Sequence, residues 1–267
     1  MSVLCVVLAR AGSKGVPGKN AALVAGRPCV EWTLDAAQAA MAAGVVSRVV
    51  LSTDGPALAE IARARGIETV DRPEALASDT ARVDDAVRHA VETVERRHGS
   101  TVEAAVILYG NVPVRPEGLV AKAVGMLAAT CCDSVQSYQG VGKHHPWWTA
   151  RLGEDGAVRP WEGEVLNGGV YRRQDLPPAV VPDGAVLCVT RQALFAQVPG
   201  AGEGPHAFFG VDRRGIVNPA GSVVDIDDEL DLIVADAVLR RRVGAGGGEQ
   251  GGAGGAGGKN ERLENAA

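Results

Sequence analysis

Short valine-rich runs separated by stretches of helix length constrain the fold of this chain more than any other feature. Val3 to Ala9 (VLCVVLA), Arg48 to Ser52 (RVVLS) and Ala104 to Leu108 (AAVIL) are continuous apolar runs that read as strands buried on both faces. Ser134 to Ser137 and Gly184 to Thr190 are further strand candidates, and Ser222 to Asp225 reads as a last strand. Helices are expected from Pro28 to about Ala43 (with proline at the first helical position), Pro56 to Arg65, Pro116 to Ala129 and Glu229 to Arg241. Between Val83 and Val94, the residues Val83, Ala86, Val87, Ala90, Val91 and Val94 recur with helical spacing, and Thr80 is the expected N-cap. This alternation implies right-handed crossovers and an α/β fold, a mostly parallel sheet flanked by helices on both faces. Ligands bind such sheets beyond the carboxyl ends of the strands. The loops after Ala9, Ser52 and Leu108 are therefore where chemistry is expected.

The length of 267 residues is enough for a sizeable core. The net charge of −5, from 27 Lys+Arg against 32 Asp+Glu, argues against a nucleic-acid partner. No apolar run reaches the roughly 18–20 residues of a spanning helix, so no membrane partner is expected. Met1 to Leu8 lacks a basic flank and does not read as a signal peptide. Cys5, Cys29, Cys131, Cys132 and Cys188 are odd in number and form no CxxC pair, which points away from a disulfide framework and toward a cytoplasmic setting. The vicinal Cys131-Cys132 pair is expected to pack without redox purpose.

The strand–helix pattern lapses between about residues 140 and 178. That stretch holds three of the four tryptophans, several prolines and turn glycines, and reads as an extended or hairpin excursion. Trp147, Trp148 and Trp161 suit either a subunit interface or a cover for one end of the sheet. His144 and His145 are adjacent, so on an extended chain they point apart and are not expected to share one ion. From Val243 the chain carries ten glycines in 25 residues and almost nothing to bury. A folded domain of residues 1–242 followed by a flexible tail, 243–267, is the expected organisation.

Two segments carry chemistry. After the first strand comes Ala9-Arg10-Ala11-Gly12-Ser13-Lys14-Gly15-Val16-Pro17-Gly18-Lys19-Asn20, with small residues, accessible backbone N–H groups and three cations suited to an anion. It is neither the GxGxxG dinucleotide fingerprint nor a Walker A loop. The second is Ser222-Val223-Val224-Asp225-Ile226-Asp227-Asp228-Glu229-Leu230. Asp225 and Asp227 are two apart, so on an extended chain they share a side and can form a hard, oxygen-rich Mg²⁺ site. Capping of the closing helix by Asp227 or Asp228 is the competing reading. A phosphate loop and a distant aspartate pair together suggest phosphoryl or nucleotidyl transfer.

LARAGSKGVPGKN, LSTDGPALAEIARARGIETVDRPEALASDT, the RQDLP of Arg173 to Pro177 and SVVDIDDELDL closely resemble, in order, the CMP-N-acylneuraminate synthetases. These cytidylyltransferases activate sialic and related nonulosonic acids. The resemblance spans about residues 3–240 and implies a Rossmann-like nucleotidyltransferase fold with a dimerising excursion. It implies transfer of CMP from CTP to the C2 hydroxyl of a sugar acid, with Mg²⁺ and release of pyrophosphate, in a homodimer. By position, Arg10, Lys14 and Lys19 would hold the triphosphate, with the backbone of Ala9, Ala11, Gly12 and Ser13 beside it. Asn20, Arg72 and the Ser78-Asp79 turn would meet ribose and cytosine, and Asp225 and Asp227 would bind the metal. Catalysis would then be mostly positioning and charge neutralisation, with Asp225 also able to assist deprotonation of the hydroxyl.

One departure bears on the acceptor. Where the family usually shows Gln-Pro-Thr-Ser-Pro, this chain has Tyr109-Gly110-Asn111-Val112-Pro113. Tyr109 supplies no amide, so another nonulosonic acid or a 3-deoxy-octulosonic acid stands beside N-acetylneuraminate. Tyr109, Asn111, Arg115, Arg173 and Gln174 are the candidate sugar-side residues. A nucleotidyltransferase acting on a sugar phosphate and a non-catalytic nucleotide-binding relative are the alternative functions.

Overall fold

The computed structural model describes residues 1–12 and 15–246. Among the described residues, seven strands form one sheet: β1 (Val3–Leu8), β2 (Arg48–Thr53), β3 (Glu68–Asp71), β4 (Ala104–Tyr109), β5 (Ser134–Gly140), β6 (Val180–Thr190) and β7 (Arg213–Asn218). Their spatial order is β7-β5-β6-β4-β1-β2-β3. Every neighbouring pair is parallel except those of β6, which runs antiparallel to both β4 and β5. The mostly parallel α/β architecture expected from the sequence is the one observed.

The central strands are apolar throughout because both faces are covered. Val3, Cys5 and Val7 of β1 pack with Leu34 and Val106 on one side. Leu4 and Val6 pack with Val87, Val91 and Ile107 on the other. The flanking helices are α1 (Cys29–Ala42), α2 (Pro56–Ala64), α3 (Val83–His98), α4 (Leu119–Thr130) and the closing α5 (Glu229–Gly246). A third cluster of Val24, Cys29, Val114, Ile226, Ala235 and Leu239 binds the start of α1, the loop after β4 and α5 to one another.

Several local expectations are corrected. Pro28 precedes α1 as its N-cap instead of occupying its first turn. Arg82, not Thr80, is the N-cap of α3, and no side chain bonds there. Ser222 to Asp225 is not a strand, since Val224 makes a single isolated bridge to Val114. The strands that sequence reading overlooks are β3 and β7, the two edges of the sheet. An edge strand covered on one face needs few apolar residues: β3 fully buries Val70 alone, and β7 buries only Ile216 and Asn218. Val243 to Gly246, assigned to the tail by composition, continue α5. The rest of the expected tail, 247–267, lies outside the described residues.

The excursion between β5 and β6 holds four short 3₁₀ turns and a small hairpin, Ala150–Leu152 with Val158–Pro160. His145 is buried and fastens it, accepting the Trp147 backbone N–H at Nδ1 (3.1 Å) while Nε2 meets the Pro177 carbonyl at 3.2 Å. Of the three tryptophans, Trp161 is 53% exposed, Trp147 packs against Gly168, and Trp148 Nε1 donates to the Val170 carbonyl at 3.2 Å, both contacts lying within the excursion itself. All five cysteines are unpaired, four of them buried. Among the described residues no helix is long and apolar enough to cross a membrane.

Candidate active site

The loop after β1, the ends of β2 and β4 and the segment after β3 converge at the carboxyl edge of the sheet. They enclose a cleft of about 250 Å³ lined by Arg10, Lys19, Asn20, Arg72, Ser78, Asp79, Tyr109 and Asn111 over a floor of Leu8, Leu76, Val83 and Ala86. Arg10 Nη1 donates to Asp79 Oδ1 at 2.7 Å, tying the basic loop to the turn after β3. The Ala11 N–H donates to Asp54 Oδ1 at 2.8 Å, so Asp54 shapes the loop. Arg72 is braced by Ser52, donating to its hydroxyl at 3.1 Å and its carbonyl at 2.7 Å. Burial pulls the Arg72 guanidinium down to about 10, which leaves it cationic at neutral pH. Ala9 is buried and Gly12 exposed. Ser13 and Lys14 lie outside the described residues.

Asn20 is 5% exposed, and its Nδ2 donates to the Arg10 carbonyl at 2.9 Å. Its Oδ1 is buried without a hydrogen-bond partner, in a site where an orphaned acceptor costs free energy until a donor arrives. Gly110 lies against it, since a Cβ there would come 2.8 Å from both Asn20 Oδ1 and Ala9 Cβ.

The carboxylate pair lies beside the cleft. Ile226 is fully buried in the third cluster, so the extended chain turns its two neighbours, Asp225 and Asp227, the other way. Lys19 Nζ donates to the Ile226 carbonyl at 2.7 Å and to Asp227 Oδ1 at 2.9 Å. One ammonium thus joins the basic loop to a segment 208 residues away. Asn111 Nδ2 donates to Asp225 Oδ1, and the Ile226 N–H donates to the Asn111 carbonyl at 2.9 Å. Burial first, and then the neighbouring Asp227, push the Asp225 carboxyl up to about 6, with Lys19 opposing.

The helix-cap question is settled by Asp228. Its Oδ1 accepts the Asp231 N–H at 2.9 Å, and Asp231 Oδ2 accepts the Asp228 N–H at 3.1 Å, a reciprocal capping box. Asp227 is not needed for the cap, and its side chain is 76% exposed.

Tyr109 and Asn111 reach the cleft, but three sequence candidates do not. Arg115 is buried beneath it, donating from Nη2 to the Tyr109 carbonyl at 3.3 Å, with Nε and Nη1 unpartnered. Burial pulls it down to about 10, with the nearby Cys5, Cys29 and Asp225 side chains acting in the opposite direction. Arg115 instead borders a larger, mainly apolar cavity of about 600 Å³ between α1, residues 113–121 and α5, which holds none of the other candidates. Arg173 and Gln174 sit in an exposed 3₁₀ turn of the excursion and do not line the cleft of their own chain. Among the described residues no cluster of three or more His, Cys, Asp or Glu side chains is arranged for a metal ion. Gly184, which lies beside Asp225, and its neighbour Asp183 carry no signal of this in the sequence, where they resemble an ordinary strand entry.

A mostly parallel sheet with an anion-suited loop, a cationic cleft and a carboxylate pair at its carboxyl edge is the arrangement of a nucleotidyltransferase fold. Residues 4–146 match the cytidylyltransferase family model, and the chain belongs to that family. It is 30% identical over 199 residues to N-acylneuraminate cytidylyltransferase of Streptococcus agalactiae serotype V, covering 74% of this chain and 45% of that protein. The chain therefore spans less than half the length of that relative. It is also 29% identical over 242 residues to CMP-N,N'-diacetyllegionaminic acid synthase of Legionella pneumophila, covering 90% of this chain and 97% of that protein. The fold matches that of CMP:2-keto-3-deoxy-manno-octonic acid synthetase complexed with CTP, with a TM-score of 0.64 at 16% identity over 91% of this chain and 100% of that one.

Proposed function

We propose that this chain transfers CMP from CTP to the C2 hydroxyl of a nonulosonic acid of the sialic type, releasing pyrophosphate. The observation that carries the reading is Lys19, whose ammonium spans the phosphate-type loop and the Asp225–Asp227 segment. Arg10 and Lys19, with Lys14 between them in sequence, supply positive charge for a triphosphate. Arg72, Asn20 and the Ser78-Asp79 turn form the wall suited to ribose and cytosine. The unpartnered Asn20 Oδ1 awaits a donor such as a ribose hydroxyl or an exocyclic amine. Tyr109 and Asn111 stand on the acceptor side, between that wall and Asp225.

Asp225 and Asp227 fit a divalent cation. They present hard oxygen donors on one side of the chain, and burial, then repulsion from Asp227, raises the Asp225 carboxyl. Mg²⁺ held there would neutralise charge on the phosphates during transfer. Asn111 orients Asp225 through Oδ1, and Lys19 holds Asp227 toward the loop. The same reading takes the chain to be a homodimer whose excursion, with Arg173 and Gln174, reaches the neighbouring subunit. This placement accounts for candidates that are exposed in their own chain. Incubation with CTP, Mg²⁺ and single sugar acids should release pyrophosphate with a nonulosonic acid. Release with a sugar phosphate but with no acid would sink the reading.

A further inference from the structure

The register between β5 and β6 slips beside the cleft. Pro182 faces Tyr138 and Leu187 faces Gln136, so five steps on one strand oppose two on the other. The surplus residues include Asp183 and Gly184. Asp183 is 5% exposed, and neutral donors on β5, β6 and β7 satisfy both of its oxygens. Oδ1 accepts the Ser137 hydroxyl and, at 3.1 Å, the Ala185 N–H. Oδ2 accepts Asn218 Nδ2 at 2.7 Å. Ser137 Oγ also accepts the Val186 N–H at 3.0 Å. A buried carboxylate is tolerated only when its oxygens are paired in this way, so the bonds select one shape for the bulge.

That shape puts Gly184 in the left-handed region, at φ +72°, against the candidate metal ligand. A Cβ on Gly184 would stand 3.1 Å from Asp225 Oδ2 and 3.8 Å from Tyr109 Cδ2. Asp225 is therefore bounded on two sides: Asn111 donates to Oδ1, and the space beside Oδ2 is open to it only because Gly184 carries no Cβ. We propose that the Asp183-centred bulge is a positioning device for the transfer: it seats Gly184 against Asp225 and so fixes where that carboxylate stands at the cleft. This rests on the function proposed above. Asp183 and Gly184 touch neither nucleotide nor acceptor and act through Asp225.

The test compares the full chain with Asp183→Ala, Asp183→Asn and Gly184→Ala. The measurements are kcat, KM for CTP, melting temperature and, by electron paramagnetic resonance, Mn²⁺ binding in the presence of CTP. Asp183→Ala should lower kcat and weaken Mn²⁺ binding about tenfold or more, with KM for CTP within about twofold, as when a ligand loses its outer support. Asp183→Asn should recover most of both, because rotation of the Asn218 amide restores the pairing. Gly184→Ala keeps every partner of Asp183 but strains a left-handed backbone and presses on Asp225, and should weaken Mn²⁺ binding to a similar degree. If Asp183→Ala does not fold, Gly184→Ala decides. Folded Ala variants with kcat and Mn²⁺ binding within about twofold of the parent, however much melting falls, would overturn the proposal. A parent chain without pyrophosphate release would defeat the transfer reading, while the Mn²⁺ titration would still judge the bulge.

Discussion

Lys19 is the side chain on which the account leans most, since its ammonium meets both the Ile226 carbonyl and Asp227. Lys19→Ala removes a fixed positive charge from the site of phosphate chemistry and should lower kcat on the order of 10²-fold, read as steady-state pyrophosphate release at saturating CTP. A Lys19→Arg variant should recover only part of this, because a planar guanidinium cannot reproduce a point donor shared by two oxygens. The cysteines offer a check independent of activity. Burial pushes the Cys5 and Cys29 thiols up to about 12 and also raises Cys188, so these three stay protonated and shielded. Cys132 is buried too, and Cys131 is exposed at the end of α4. Titration of the native chain with a thiol reagent at pH 8 should show one fast thiol, rising to five in denaturant. Two or more fast thiols would contradict the packing described for β1 and β6.

At the scale of elements, the Asp228–Asp231 capping box separates two roles that the sequence SVVDIDDELDL leaves superposed. Asp228→Ala should cost about 1 kcal/mol of stability, a fall of a few degrees in melting temperature, with the Mg²⁺ requirement unchanged. Asp227→Ala should do the reverse, raising the Mg²⁺ needed for half-maximal rate while melting stays near that of the parent. Calorimetry and a Mg²⁺ titration on both variants decide the matter, and a cap effect at Asp227 would contradict the assignment. The same segment shows what the sequence could reveal. The strands buried on both faces announce themselves by unbroken apolar runs, as in VLCVVL and AAVIL. The edges do not, because ETVD and RRGIVN need bury only one or two side chains. Ser222 to Asp225 misleads for the opposite reason: Val223 and Ile226 are buried in a loop, where apolar content reflects packing without a strand partner. In the site, the loop after β1 is legible from residue type and placement, and the Asp225–Asp227 pair only as a spacing that fits a helix cap as well as a metal pair. Asp54, Asp183 and Gly184 are not legible, since their importance arises from long-range contacts with Ala11, Ser137, Asn218 and Asp225.

For the whole molecule, the excursion is the feature a monomer leaves unexplained. Leu152, Val165 and Tyr171 are 75%, 61% and 94% exposed on a projection that carries Arg173 and Gln174 away from the cleft of its own chain. Exposed apolar side chains on such a projection suit a subunit interface. Light scattering at micromolar concentration should give the mass of a dimer, and the double variant Leu152→Ser, Tyr171→Ser should shift it toward monomer with loss of activity. A monomeric parent chain would remove the excursion from the account.

The acceptor dependence of CTP turnover distinguishes CMP transfer to a sugar acid from every alternative. Purified chain is mixed with CTP, Mg²⁺ and, one at a time, a nonulosonic acid panel, a 3-deoxy-octulosonic acid and a sugar phosphate, and pyrophosphate is followed together with the CMP product. Pyrophosphate and a CMP-sugar should form in equal amounts with a nonulosonic acid, with no release in the absence of an acceptor acid. Tight CTP binding without turnover of any acceptor, or turnover with the sugar phosphate alone, would contradict transfer to a sugar acid.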